Sequence, residues 1–171
     1  MLWIACPSEK ATRKDEVAWI IDRTRRNISN RTQTCIISTY RTIVKEDLSN
    51  LITEKSVLYA EIVHNVVSGS SGERIFEIND QILDISVFLS QLMQSAKKSR
   101  IPLDIILHNF SALIHNLGDE DMYRLVTYKA PEFNESANLI LFIHPKSHIE
   151  WVWQKFKSLA REVIEIKGAK T

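Results

Sequence analysis

The chain has 171 residues, a length that suits one domain around one core. Hydrophobic residues make up 44%, charged residues 25%, and the net charge is +1. That balance fits a globular protein and excludes a global electrostatic pull toward nucleic acid or membrane.

The two cysteines, Cys6 and Cys35, each sit beside an apolar run, which predicts buried free thiols rather than a disulfide framework. The start MLWIACPSEK lacks the basic and then long apolar regions of a signal peptide. No apolar run approaches the ~18–20 residues of a membrane span. The expectation is therefore a cytoplasmic protein, for which the glycosylation patterns at Asn27 and Asn30 carry no weight.

Leu2–Cys6 (LWIAC) is a short apolar run ended by Pro7 and predicts a buried strand. Pro7–Asp15 is polar and without periodicity, so it predicts a loop. From Glu16 to Asn27 the residues Val17, Ile20, Ile21 and Thr24 share one helical face. Arg23, Arg25 and Arg26 fall near the end of that helix, where cations suit its dipole. Thr34–Thr39 predicts a second strand and Lys45–Thr53 a short helix. Ser56–Val63 mixes β-branched residues with Ala60 and Glu61 and reads as a strand. Asn65–Glu73 contains SGSSG and predicts the most flexible stretch, followed by a few extended residues over Arg74–Ile78.

Asp80–Lys98 predicts the longest helix, with Asp80 as its cap and Pro102 beyond its end. Its stripe is Ile82, Ile85, Phe88, Leu89, Leu92 and Met93. Leu103–His108 (LDIILH) then predicts a strand covered on both faces, as in the interior of a parallel sheet. Ser111–Leu117 predicts a helix ended by Gly118, and Asp119–Glu135 a partly helical segment interrupted before Pro131. Ala137–His144 is another buried strand, and Ser147–Ala160 an amphipathic helix capped by Ser147. Glu162–Lys167 alternates polar and apolar residues, as a half-exposed edge strand does. This alternation predicts an α/β fold class: one domain over 1–171, a three-layer sandwich with a mostly parallel central sheet.

The runs LWIACPSEKATRKDEVAWII, TCIISTYRT, LDIILHNFSALI, ANLILFIHPKSH and EVIEIK follow one another over nearly the whole chain. Their order and spacing resemble the KaiC/RecA-like branch of the P-loop ATPases. The resemblance implies a sheet in the order 56–63, 34–39, 103–108, 138–144, 2–6, 162–167. It also implies a nucleotide site, and there the sequence departs. A P-loop needs glycines to wrap the phosphates, a lysine for the β/γ-phosphates and a Ser/Thr for magnesium. Aligned on the first strand, the glycine positions fall on Cys6, Glu9 and Ala11. The lysine position falls on Thr12 and the Ser/Thr position on Arg13, with Lys10 and Lys14 off register. The acidic residue that primes the attacking water is replaced by Tyr40, and the acidic residue ending the central strand by His108. Three parts of phosphoryl-transfer chemistry are missing. The expectation is a pseudo-ATPase with degenerate Walker motifs, no catalytic residues and no cofactor.

In an open α/β sheet, ligands bind beyond the carboxyl ends of the strands. That edge is predicted to hold Cys6, Tyr40, His108, His144 and His148. Their spacing matches no standard zinc pattern, so no metal is expected. His108 and His144 are read as strand-end residues bonded to nearby backbone. The arginines of RTRRN, Arg31 and the run KKSR (97–100) are read as solvated dipole partners, although they could touch phosphates. Trp151 and Trp153 lie two apart on a helix and cannot share a face, so one belongs to the core and the other is the candidate interface residue. The function expected is a non-catalytic RecA/KaiC-like subunit that binds a protein partner or itself, as a dimer or heteromer. The alternative is a DNA recombination or repair accessory that binds DNA with a RecA-family partner. No membrane partner is expected.

Overall fold

The apolar runs of the sequence become the middle of one sheet, as their continuous hydrophobicity requires. The computed structural model describes residues 1–72, 74–133 and 137–169. Its strands are β1 (Leu2–Pro7), β2 (Gln33–Thr39), β3 (Val57–Val63), β4 (Gly69–Gly72), β5 (Ile75–Asn79), β6 (Leu103–His108), β7 (Ala137–Phe142) and β8 (Glu162–Ile166). They form one sheet in the order β4-β5-β3-β2-β6-β7-β1-β8. All pairings are parallel except that of β4 with β5. From β3 to β8 this is the order that the family resemblance implies, and β5 and β4 extend it at the β3 side. β6 is interior, paired with β2 and β7, and all six of its residues are buried.

Helices cover both faces. They are α1 (Arg13–Ser29), α2 (Lys45–Ile52), α3 (Ile82–Ser99), α4 (Phe110–Leu117), α5 (Asp119–Lys129) and α6 (Glu150–Lys157). Strand alternation sends Ile105, Leu107, Leu139 and Leu141 into the core under α3 to α6. Ile36, Ile106, Ile140 and Phe142 go to the opposite face, under α1 and α2. Phe110 of α4 meets Phe156 of α6 edge to face at 5.6 Å, tying the ends of the first core together.

The structure corrects several local expectations. The helix predicted from Glu16 begins at Arg13, because Asp15 accepts the Thr12 backbone N–H at 2.7 Å and its hydroxyl at 2.8 Å. The stretch Ser68–Gly72 is not merely flexible: β4 pairs antiparallel along the otherwise open edge of β5. Asp80 does not cap α3, whose N-cap is Gln81. Ser147 does not cap α6 either: Pro145–Ser147 forms a 3-10 turn and the N-cap is Ile149. Glu73 and Glu135, the far ends of two predicted segments, lie outside the described residues. Both cysteines are free thiols, and burial pushes the Cys35 thiol up to about 12. Among the described residues no helix is long and apolar enough to cross a membrane.

Candidate functional site

Helix α1 lies along the sheet and is held to it by polar contacts at both ends. Its buried positions are Glu16, Ile20, Thr24 and Asn27, three of them polar. At the amino ends of the strands, Arg23 and Asn27 reach Asp104 of β6. At the carboxyl ends, Glu16 reaches the histidines that close β6 and follow β7. The second end is where this architecture places ligands.

Glu16 is the centre of that end. It is 6% exposed. One carboxylate oxygen lies 2.5 Å from His108 Nε2 and the other 3.0 Å from His144 Nε2. His108 Nδ1 lies 2.9 Å from the Thr42 hydroxyl, and its ring packs on Phe142 at 5.1 Å. Burial by itself would raise the Glu16 pKa. The hydrogen bonds and charges of His108 and His144 outweigh it and hold the carboxyl at about 2. A carboxylate is thus fixed, ionised, between the first turns of α1 and the end of the central strand. His108 and His144 are not bonded simply to nearby backbone, as the sequence suggested. They are the two clamps of a charge contributed by α1.

Glu16 was not among the candidate site residues expected from the sequence. The signal was present: Glu16, Ile20, Thr24 and Asn27 share one helical face, so a carboxylate there enters the core and must find a partner.

The sequence expectation put a degenerate phosphate loop over Cys6, Glu9, Ala11, Thr12 and Arg13. Cys6 lies half-buried at the end of β1, and Glu9 is exposed and ion-paired with Lys146. Ala11 packs against the core under α1. Thr12 is the N-cap of α1. Arg13 turns away from the strand ends: its Nε donates to the Thr42 carbonyl at 2.7 Å and its guanidinium pairs with Asp47. A crevice of about 570 Å³ opens beyond β1 and β8, lined by Cys6, Lys10, Lys146, Glu165 and Lys167 among others. Tyr40 follows β2 and donates its hydroxyl to Asp80 at 2.9 Å.

His148 joins the same edge by another route. Its Nε2 lies 2.8 Å from the Ser111 hydroxyl, which also accepts the His144 backbone N–H at 2.9 Å. Burial, then the nearby His115 and His144, lowers its pKa. Among the described residues no group of three His, Cys, Asp or Glu could hold a metal ion.

Of the arginines considered for phosphate contact, Arg23 is committed to Asp104 and Arg26 donates to the Asp22 carbonyl of its own helix. Trp153 is buried in the core with Val152 and Phe156. Trp151 is 55% exposed, and the Lys155 ammonium lies 5.2 Å from its ring and 4.5 Å from that of Tyr123.

No protein-family model and no curated protein matches the chain. Solved structures do. The chain is similar to an uncharacterized protein from Pyrococcus horikoshii, crystallised in complex with an unknown peptide. The TM-score is 0.60 at 10% identity, over 95% of this chain and 76% of that one. It also aligns with the ORC2 protein of Aeropyrum pernix at a TM-score of 0.47 and 13% identity, over 99% of this chain and 42% of that one. The first likeness supports the mostly parallel α/β architecture, and at such identity it speaks of the fold alone.

Proposed function

We propose that this chain is a non-catalytic protein of the RecA/KaiC-like fold that works by binding another protein, without hydrolysing ATP. One observation carries the reading: the buried, ionised Glu16 at the junction of α1 and the central strand. In the fold's catalytic members that junction handles phosphate and metal, and a helix N-terminus suits an anion. Here the anion is built into the chain and already has its two donors, His108 and His144. A triphosphate brought to α1 would meet a fixed negative charge in a low-dielectric site, with no registered lysine to offset it. Arg13, which stands at the Ser/Thr position, is engaged elsewhere.

The binding side of the proposal rests on α6. Trp151 and Ile149 are exposed on it, and Lys155 bridges Trp151 to Tyr123 of α5. An exposed, laterally supported tryptophan is the residue type most enriched at the centres of protein interfaces. That a protein of similar fold was crystallised with a peptide supports protein binding as a use of this scaffold.

Two measurements test the proposal. Calorimetric titration with Mg-ATP is expected to show no saturable heat at micromolar nucleotide, and labelled ATP no turnover above background. Micromolar binding with turnover would overturn it. The two tryptophans are expected to separate by assay. Trp153→Ala removes a buried ring and should cost ~3–5 kcal/mol of fold stability. Trp151→Ala should keep the melting temperature and lose association, by ~2 kcal/mol or more if the ring sits at the centre of a contact. Association would be read by ultracentrifugation and by co-purification from the native cell. Loss of stability in both variants with association intact would place the interface elsewhere.

A further inference from the structure

Away from Glu16, the same edge of the sheet carries a second constellation. Asp80, just after β5, is 2% exposed. Its Oδ2 accepts the Tyr40 hydroxyl at 2.9 Å and lies 2.6 Å from His64 Nδ1, just after β3. The His64 ring sits 5.7 Å from the Tyr40 ring and its side chain is 71% exposed. The chain is strained to build this. Tyr40 and Arg41 both have left-handed backbones, φ 50° and 56°, in a tight turn closed by Thr42 N–H to the Thr39 carbonyl at 3.2 Å. Turns of that kind normally take Asn-Gly, and a residue with a Cβ is strained in either position. Such strain marks places where position matters more than local stability.

The five histidines differ in what their Nε2 atoms meet. Those of His108 and His144 face Glu16, and that of His148 faces Ser111. His115 is exposed and stacks on His148, and among the described residues no carboxylate bonds its nitrogens. His64 alone, among the described residues, combines a carboxylate at Nδ1 with an Nε2 free toward solvent. In a neutral ring, a carboxylate at Nδ1 holds the proton there and leaves the lone pair on Nε2. A buried carboxylate also stabilises positive charge as it develops on the ring.

We infer that His64 is a phosphoryl-accepting histidine, its Nε2 set up as a nucleophile by the buried Asp80. The substrate class is an activated phosphoryl donor. In the step, the Nε2 lone pair attacks phosphorus, a phosphorus–nitrogen bond forms and the bond to the leaving group breaks, its electron pair departing with that group. With phosphoramidate as donor the leaving group is ammonia. The Nδ1 proton stays in place, and the ring becomes a phosphorylated imidazolium facing Asp80. Phosphoryl rather than acyl transfer fits because its loose transition state builds less charge on the oxygens than attack on a carbonyl does, and so depends less on oxyanion donors. A modification of this kind would place a dianionic group beside the Tyr40 turn and goes beyond the protein-binding role proposed above.

The test is phosphorylation of the intact protein by phosphoramidate, read by phosphorus NMR and by site mapping with mass spectrometry. The expected result is that His64 is modified first, at Nε2, ahead of the exposed His115. His64→Gln should abolish that signal. Asp80→Asn should slow it about tenfold or more, since an amide offers no counter-charge to the imidazolium that forms. Modification of His115 as fast as His64, or an unchanged rate in a folded Asp80→Asn protein, would overturn the inference. If Asp80→Asn does not fold, the ratio of His64 to His115 in the unaltered protein decides alone.

Discussion

Glu16→Ala is expected to destabilise the fold by about 3–5 kcal/mol, the usual cost of removing one member of a buried ion pair. The carboxylate is buried, and both of its oxygens are used. Its loss leaves His108, itself 3% exposed, with Nε2 facing a void in the core. The pH dependence has a definite sign. The folded-state pKa of Glu16, about 2, lies below its ordinary value of 4.5. Its contribution is therefore complete above about pH 4.5 and is lost as pH falls through about 2. The depression corresponds to roughly 3 kcal/mol, in line with the mutational figure. Urea unfolding at a series of pH values from 6 downward, each given only as about a unit apart, would show it. The parent protein should lose stability steeply on the acid side, and Glu16→Gln should show a shallower fall from a lower starting point. Equal slopes in the two proteins would mean that Glu16 is not held ionised by the histidines.

Asp104→Leu is the second large effect, again about 3–5 kcal/mol. Asp104 is 1% exposed at the opposite end of α1. Its Oδ2 receives Arg23 Nε at 2.8 Å and Asn27 Nδ2 at 2.9 Å, and its Oδ1 receives Asn138 Nδ2 at 2.7 Å. Leucine would remove the acceptor that three side chains share, one of them a guanidinium only 20% exposed, and leave Asn27 with its bond to the Thr34 hydroxyl alone. The double variant Asp104→Leu with Arg23→Met should recover part of the loss, because replacing a whole buried pair by apolar groups is often near neutral. Chemical denaturation of the two variants measures the difference. A double variant less stable than Asp104→Leu alone would show that Arg23 stabilises by packing over Trp3, whose ring lies 4.8 Å from its guanidinium, rather than by charge.

These two clusters explain why α1 was only partly legible. Its apolar positions at Ile20 and Ile21 announced a helix, and the helix is there. Thr24 was placed with them, and Arg23 was read as solvated. Glu16 and Asn27 are buried as well and Arg23 is paired, because the strand ends opposite them carry Asp104 and His108. Asp80 shows the same effect: read as a helix cap, it serves Tyr40 and His64. The strand at Gly69–Gly72 was read as flexible because Gly and Ser have little intrinsic preference for a sheet. The unpaired edge of β5 supplied what the residues lacked.

What the sequence by itself determined was the set of buried strands and the lack of any glycine before Gly69. Both are local properties. A run such as LDIILH hides its side chains in a sheet interior, and the turn that follows the first strand is built without a glycine. What only the tertiary structure decided was the meaning of each charge. Glu16 and His108 are 92 residues apart, Arg23 and Asp104 are 81 apart, and Tyr40 and Asp80 are 40 apart. A charged side chain is a solvated surface group or a buried anchor according to what lies within ~4 Å of it, and that distance is set by the packing of α1 and the strand ends, not by neighbours in the chain.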